Sequence, residues 1–258
     1  MDNKHCLNCG NDLIGKFCSN CGQKSDTHRI TLKHLIFHDI IHGTFHFEKG
    51  MLFTAKQALL RPGKTALDYI SGKRVNYYNI FYFILISIGI IALLYHFLAT
   101  DSTLKSQDEM NAAGEKVDYI FSTYGKFLIF SIVPLTALNS YVLFKRKKLN
   151  FSEHIIISGV LLLGIFLILI LLMLLGILTT VVFPTELSKY LFVFLPFIIL
   201  FYIIYVYYNA FRKDYTRLGF SYRTTLFLIL LLFELSVFVM LLLGIATNWE
   251  GGEIIYET

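Results

Sequence analysis

Long apolar runs behind a short, polar, cysteine-rich head predict an all-α multi-pass membrane protein with about five transmembrane helices. Three observations lead there. Of 258 residues, 55% are hydrophobic and only 16% charged, against about a quarter charged in ordinary soluble domains. The charge deficit is concentrated from Ile80 onward, where apolar runs exceed the roughly 18 residues that a spanning helix needs, and the mean hydropathy reaches +0.60. All four cysteines lie within residues 6–21, outside the apolar part.

Residues 1–25 form the head. Cys6-Leu-Asn-Cys9-Gly and Cys18-Ser-Asn-Cys21-Gly read as two knuckles separated by a short turn around Gly15. Each pair presents two thiolates from one tight loop, and each glycine permits the turn that aims N–H groups at sulfur. Four thiolates in tetrahedral positions suit one structural zinc ion with no open coordination position, hence no catalysis at the metal. Free or redox-active cysteines are the competing reading. A segment this short cannot hold a fold by its core alone, so metal is expected to supply most of its stability.

Residues 26–78 mix apolar, basic and histidine residues. Thr31 can cap a short helix running to about His42, with Gly43 as terminator. A second helix is expected from Gly50 to the Arg61-Pro62-Gly63 break, and a third from Thr65 to Ser71, ended by Gly72. None is long or apolar enough to span. Leu35, Ile36, Ile40, Phe47, Leu52, Leu59 and Leu60 fit interfacial helices on the membrane surface or packed under the bundle.

Residues 79–258 are the membrane domain, with spans expected at about 80–98, 127–144, 155–183, 191–211 and 225–246. The third is about 40 Å long and must tilt, kink or protrude from a core about 30 Å thick. An interruption at Gly164 or Gly176 would change the count. Pro134 and Pro196 interrupt the second and fourth spans.

Charge fixes the expected orientation. Of the 23 Lys+Arg residues, 19 lie in residues 1–78 and in the loops after the second and fourth spans. The positive-inside rule then puts the N-terminus in the cytoplasm and, with five spans, the C-terminus outside with Glu250, Glu253 and Glu257. The loop Thr100–Tyr124 is expected to be external. Residues 1–50 do not read as a cleavable signal peptide, which leaves the first span as the insertion signal.

The ribbon is followed by Arg29-Ile-Thr31, by His42-Gly-Thr-Phe-His46-Phe-Glu-Lys-Gly50, by Leu60-Arg-Pro-Gly63 and by Asp68-Tyr-Ile-Ser-Gly-Lys-Arg74. Over about residues 5–85 this resembles the bacterial family catalogued as domain of unknown function 3667. The resemblance implies a zinc ribbon, a multi-pass membrane domain and the bacterial cytoplasmic (inner) membrane. It supplies no reaction.

Other constellations carry weaker chemistry. His34, His38, His42 and His46 recur every four residues and, with Asp39 and His154, could form a second metal site. The steps drift round the helix by roughly 120° in total, and headgroup contacts explain such histidines as well. Arg61, Lys64, Lys73 and Arg74 precede the first span and suit a lipid phosphate, or serve as interfacial anchors. Glu234 lies deep in the fifth span, where a carboxylate must be protonated or paired. Asn139, Ser236, Tyr202, Tyr205 and Tyr208 are its expected partners, in a proton relay, a polar pocket or a helix staple.

No phosphate-binding Gly-Lys-Ser/Thr loop, Gly-x-Ser-x-Gly elbow or His-Glu-x-x-His motif occurs. The ribbon lacks the basic and aromatic interleaving of a nucleic-acid binder. The expected function is a membrane adaptor or scaffold, its ribbon binding or steadying a protein partner at the cytoplasmic face, within a membrane complex or oligomer. The alternatives are a lipid-handling protein or metalloenzyme using the His34–His46 row and the Arg/Lys cluster, and a small transporter using Glu234.

Overall fold

The computed structural model describes residues 5–25, 27, 30, 50–100, 112–182 and 187–246. Among the described residues, seven α-helices follow the head: α1 Gly50–Leu60, α2 Pro62–Ile70, α3 Ile80–Thr100, α4 Ala112–Leu143, α5 Phe151–Val182, α6 Leu187–Phe211 and α7 Arg217–Ala246. No strand occurs among the described residues, only two isolated bridges in the head. The all-helical class is as the sequence predicts. Among the described residues, four helices are long and apolar enough to cross a membrane, over Ile80–Phe97, Phe151–Leu178, Val193–Asp214 and Arg217–Gly244, and Ile129–Leu143 is a shorter apolar stretch.

The bundle is built around α5, which packs against α1, α2, α3, α4 and α6. Its 32 residues extend about 48 Å. Ile156, Ile157, Val160, Leu161 and Leu163 are fully buried, as expected of a helix apolar on all sides and surrounded by others. It starts on a reciprocal cap: Asn150 Oδ1 accepts the Glu153 N–H at 2.8 Å, and Glu153 Oε2 accepts the Asn150 N–H at 2.7 Å. By contrast, only 11% of the apolar window of α7 is buried. Leu232, Phe233 and Met240 point outward, a surface that suits lipid chains and not water.

Several boundaries differ from the sequence reading. The third expected helix, α2, begins at Pro62, three residues earlier than Thr65, because proline at the first turn has no N–H to leave unpaired. It ends as expected at Gly72, φ +93°, where the Lys73 and Gly72 amides reach back to the Asp68 and Tyr69 carbonyls at 3.0 and 3.2 Å. Residues 112–124, expected within an external loop, are helical and continue into the apolar part of α4. Neither Gly164 nor Gly176 interrupts α5. Gly164 instead leaves room for Tyr202, whose hydroxyl would collide with any Cβ there. Pro134 and Pro196 lie inside continuous helices.

The two short helices are packed into the bundle. Ala58 and Ala66 are fully buried, and a Cβ on Gly63 would overlap the Ala210 backbone. The corner between them leaves helix-end polar groups that α6 satisfies. Tyr202 and Tyr205 hydroxyls donate to the Ala58 and Leu60 carbonyls at 2.8 and 2.6 Å, and Asn209 Oδ1 accepts the Lys64 N–H at 2.8 Å. The expected helix from Thr31 to His42 lies outside the described residues.

Candidate metal centre

The head consists of two loops with the same hydrogen-bond pattern, twelve residues apart. In the first, the Cys6 N–H donates to the Asn11 carbonyl and the Gly10 N–H to the Cys6 carbonyl, both at 2.8 Å. In the second, Cys18 and Gln23, then Gly22 and Cys18, repeat those bonds at the same 2.8 Å. The bridges His5–Asp12 and Phe17–Lys24 close the two loops. Gly10 and Gly22 have φ of +80° and +74°, a region that favours glycine strongly. That requirement is the physical reason for the glycine after each Cys-x-x-Cys.

The two loops face each other through sulfur. Cys6 Sγ lies 3.5 Å from Cys21 Sγ, and Cys9 Sγ 3.5 Å from Cys18 Sγ. All four sulfurs are within 4.8 Å of one another. A tetrahedral zinc with bonds of about 2.3 Å has ligand sulfurs separated by about 3.8 Å. The four cysteines therefore fit a single tetrahedral ion, and they are the cluster of metal-binding type found among the described residues. Cys6 and Cys18 are buried, Cys21 is half-buried and Cys9 is exposed. The Asn11 N–H that reaches the Cys9 sulfur brings its thiol down from 9.0 to about 6, which favours the ligating thiolate.

The head is seated on the bundle. Gln23, 4% exposed, accepts the Arg74 N–H on its Oε1 at 3.3 Å. The Leu7 side chain lies against Gly72, where a Cβ would meet Leu7 Cδ1 at 2.7 Å. Beyond the second loop, the Ile30 carbonyl accepts from Asn150 Nδ2 at 3.1 Å, and the Ile30 side chain is buried. The ribbon thus rests on the link between α2 and α3, beside the turn between α4 and α5. Sequence reasoning missed Leu7, Gln23 and Asn150. Gln23 closes the Gly-Lys-Phe-Cys-x-x-Cys-Gly-Gln motif, which marks the ribbon but not the reach of this side chain to Arg74.

The other expected site residues are distributed as follows. His34, His38, Asp39, His42 and His46 lie outside the described residues. His154 is 1% exposed, with Nδ1 at 2.7 Å from Ser140 Oγ and its ring stacked 6.0 Å from Phe211. Arg61 and Lys64 sit at one end of α2, and Lys73 and Arg74 just past the other, about 14 Å along the helix axis. Lys73 pairs with Asp68 at 3.4 Å, and Arg74 Nε donates to the Tyr69 carbonyl at 3.2 Å. The four cations therefore do not converge on one point.

Glu234 Oε2 accepts a hydrogen bond from Asn139 Nδ2 at 2.7 Å, which ties α7 to α4 as the sequence suggested. The other expected partners bond elsewhere: Tyr202 and Tyr205 hold the α1–α2 corner, and Ser236 Oγ donates to its own helix at Phe233. Tyrosines spaced by three on α6 signalled a shared face, but Tyr202 and Tyr205 meet α1, and Tyr208 meets α7 at Phe220, ring edge-on at 5.7 Å, and not at Glu234.

No curated protein and no solved structure matches the chain. Residues 48–91, which hold α1, α2 and the first half of α3, match the family model described as "Protein of unknown function (DUF3667)", the family that the sequence resembles.

Proposed function

We propose that this protein is a membrane adaptor whose metal-held ribbon presents a surface to a protein partner. The observation that carries the reading is how the ribbon is mounted. Leu7 and Gln23 fix it on the α2–α3 link, while Ile14 and Phe17 remain 97% and 57% exposed. Two large apolar side chains on a rigid, anchored module suit protein recognition. Zinc is the ion proposed, because four cysteine sulfurs with no further donor favour it and leave no site for a reacting ligand.

On the same reading the ribbon faces the cytoplasm of a bacterium, the helices cross the inner membrane and the C-terminus lies outside. The ribbon, the turn between α4 and α5 and the turn between α6 and α7 share one end of the bundle, linked by Asn150–Ile30 and Arg146–Tyr215 bonds. Most of the 23 Lys+Arg residues belong to these segments or to residues 1–78, which supports that orientation. The shorter apolar stretch of α4 serves as the fifth span, within a helix of 32 residues.

The test is co-purification of the full chain from cells in mild detergent. A partner retained by wild type and lost from both Cys18→Ser and Ile14→Ser/Phe17→Ser supports the adaptor, provided the latter variant keeps its metal. Retention of the same proteins by both variants would exclude the ribbon as the recognition surface.

A further inference from the structure

We propose that the turn between α6 and α7, together with the turn between α4 and α5, forms a binding site for a phosphate group, carried by an anionic lipid headgroup or free in solution.

The two turns hold six basic residues, at 145–148 and 212–213, and the start of α7 adds Arg217 and Arg223, against one acid within 145–148 and 212–223, Asp214. Asp214 is engaged by Lys147 at 3.2 Å. At the centre stands Tyr215, 5% exposed, its ring set edge-on against the fully buried Phe144 at 5.9 Å. The Arg146 and Arg223 guanidinium carbons lie 4.8 and 4.7 Å from the centroid of this one ring. Two guanidiniums thus meet one aromatic ring, whose quadrupole attracts each of them and leaves their remaining N–H donors for an anion.

Their hydrogen bonds are to neutral oxygens. Arg146 Nη1 donates to the Asp214 carbonyl at 2.8 Å, and Arg223 donates through Nε to Leu143 and through Nη1 to Gly219, at 3.1 and 2.9 Å. Arg212 Nη1 donates to the Tyr215 carbonyl at 2.8 Å, which brings a third guanidinium to the same turn. None of the three meets a carboxylate among the described residues. Each keeps at least three of its five N–H donors.

The chemistry favours phosphate over a carboxylate or a simple halide. A guanidinium offers paired N–H donors that match two phosphate oxygens, and several guanidiniums held in place lose little freedom on binding. The site lies at the junction of helices that end in apolar spans, where a headgroup would sit. It uses other residues than the Arg61, Lys64, Lys73 and Arg74 set, which flanks α2.

The experiment is thermal unfolding of the detergent-purified full chain titrated with phosphatidylglycerol, phosphatidylcholine or inorganic phosphate. Wild type is expected to show a saturable stabilisation by phosphatidylglycerol or inorganic phosphate, and none by phosphatidylcholine. A shift with the lipid alone identifies a headgroup site; a shift with phosphate alone or with both identifies a site that also takes the free ion. Arg146→Gln/Arg223→Gln is expected to weaken half-saturation about tenfold or more. Lys24→Gln/Lys56→Gln, which removes the same charge at exposed positions away from both turns, is expected to leave it nearly unchanged. Arg146→Lys/Arg223→Lys keeps the charge and serves where the glutamine variant does not fold; it is expected to bind more weakly than wild type. The proposal is overturned if no anion stabilises the protein. It is equally overturned if the lysine-to-glutamine pair loses as much as the arginine pair, or if the arginine variants bind like wild type.

Discussion

The ribbon and the bundle are held together by opposite means. In the ribbon the large apolar side chains Ile14 and Phe17 are outside, and what is buried is sulfur and a single amide, in Cys6, Cys18 and Gln23. In the bundle an aromatic stack of Phe144, Tyr207 and Phe211, with ring separations of 4.7 to 6.2 Å, is surrounded by fully buried aliphatic residues of α5. On the proposed reading the first depends on a metal ion and the second on packing, so removing metal is expected to dismantle one and spare the other. The few contacts between them, at Gly72, Arg74 and Asn150, are where a change in one reaches the other.

The sharpest way to break the comparison is to remove the metal ligands. Cys6/Cys9/Cys18/Cys21→Ser is expected to unfold residues 5–25 outright, since structural zinc contributes on the order of 10 kcal/mol to such modules. Limited proteolysis would then cut within the head while leaving the helical bundle intact. Next in size is Gly63→Ala, which forces α2 away from the Ala210 backbone. Overpacking of this kind costs about 1–3 kcal/mol, to be read as a lower Tm of the bundle with metal content unchanged.

Smaller again is Tyr202→Phe, which leaves the buried Ala58 carbonyl without its 2.8 Å donor. A loss of about 1–2 kcal/mol is expected by thermal unfolding. Glu234→Gln keeps an acceptor for Asn139 and is expected to change stability by less than about 1 kcal/mol. If it abolished a measurable activity while the fold stayed intact, the transporter reading would gain.

The smallest effect concerns pH. The Cys9 thiol stands at about 6 in the folded ribbon against 9.0 unperturbed, chiefly through the Asn11 N–H. Without metal, that depression contributes stability above pH 9 that is lost as pH falls through about 6, while burial, which raises the Cys21 thiol to about 11, contributes stability below pH 9 that is lost as pH rises through about 11. Metal release followed with a chromogenic chelator is expected to speed up as the pH falls, because protons compete with the metal for the four thiolates.

What the sequence disclosed follows from how local each signal is. The knuckles are legible because thiolate pairs and a left-handed glycine are encoded within five residues. The spans are legible because a bilayer demands unbroken apolar length. The Asn139–Glu234 pair was legible too, since a polar group in an apolar run needs a partner. Contacts between distant elements were not. Nothing local told Tyr202 to reach across Gly164 to Ala58, or set Gly63 against Ala210. The Arg146–Tyr215–Arg223 cluster depends on two turns meeting, each of which alone reads as orientation charge. The start of α4 at Ala112 was hidden because the polar stretch before the apolar run resembles a loop.

The most direct test of the account is metal content per chain, measured by elemental analysis of detergent-purified full-length protein and of its four-cysteine serine variant. One zinc per chain, absent from the variant while the helical signal persists, is the result predicted. A metal that survives loss of all four cysteines would contradict it and turn attention to the His34–His46 segment.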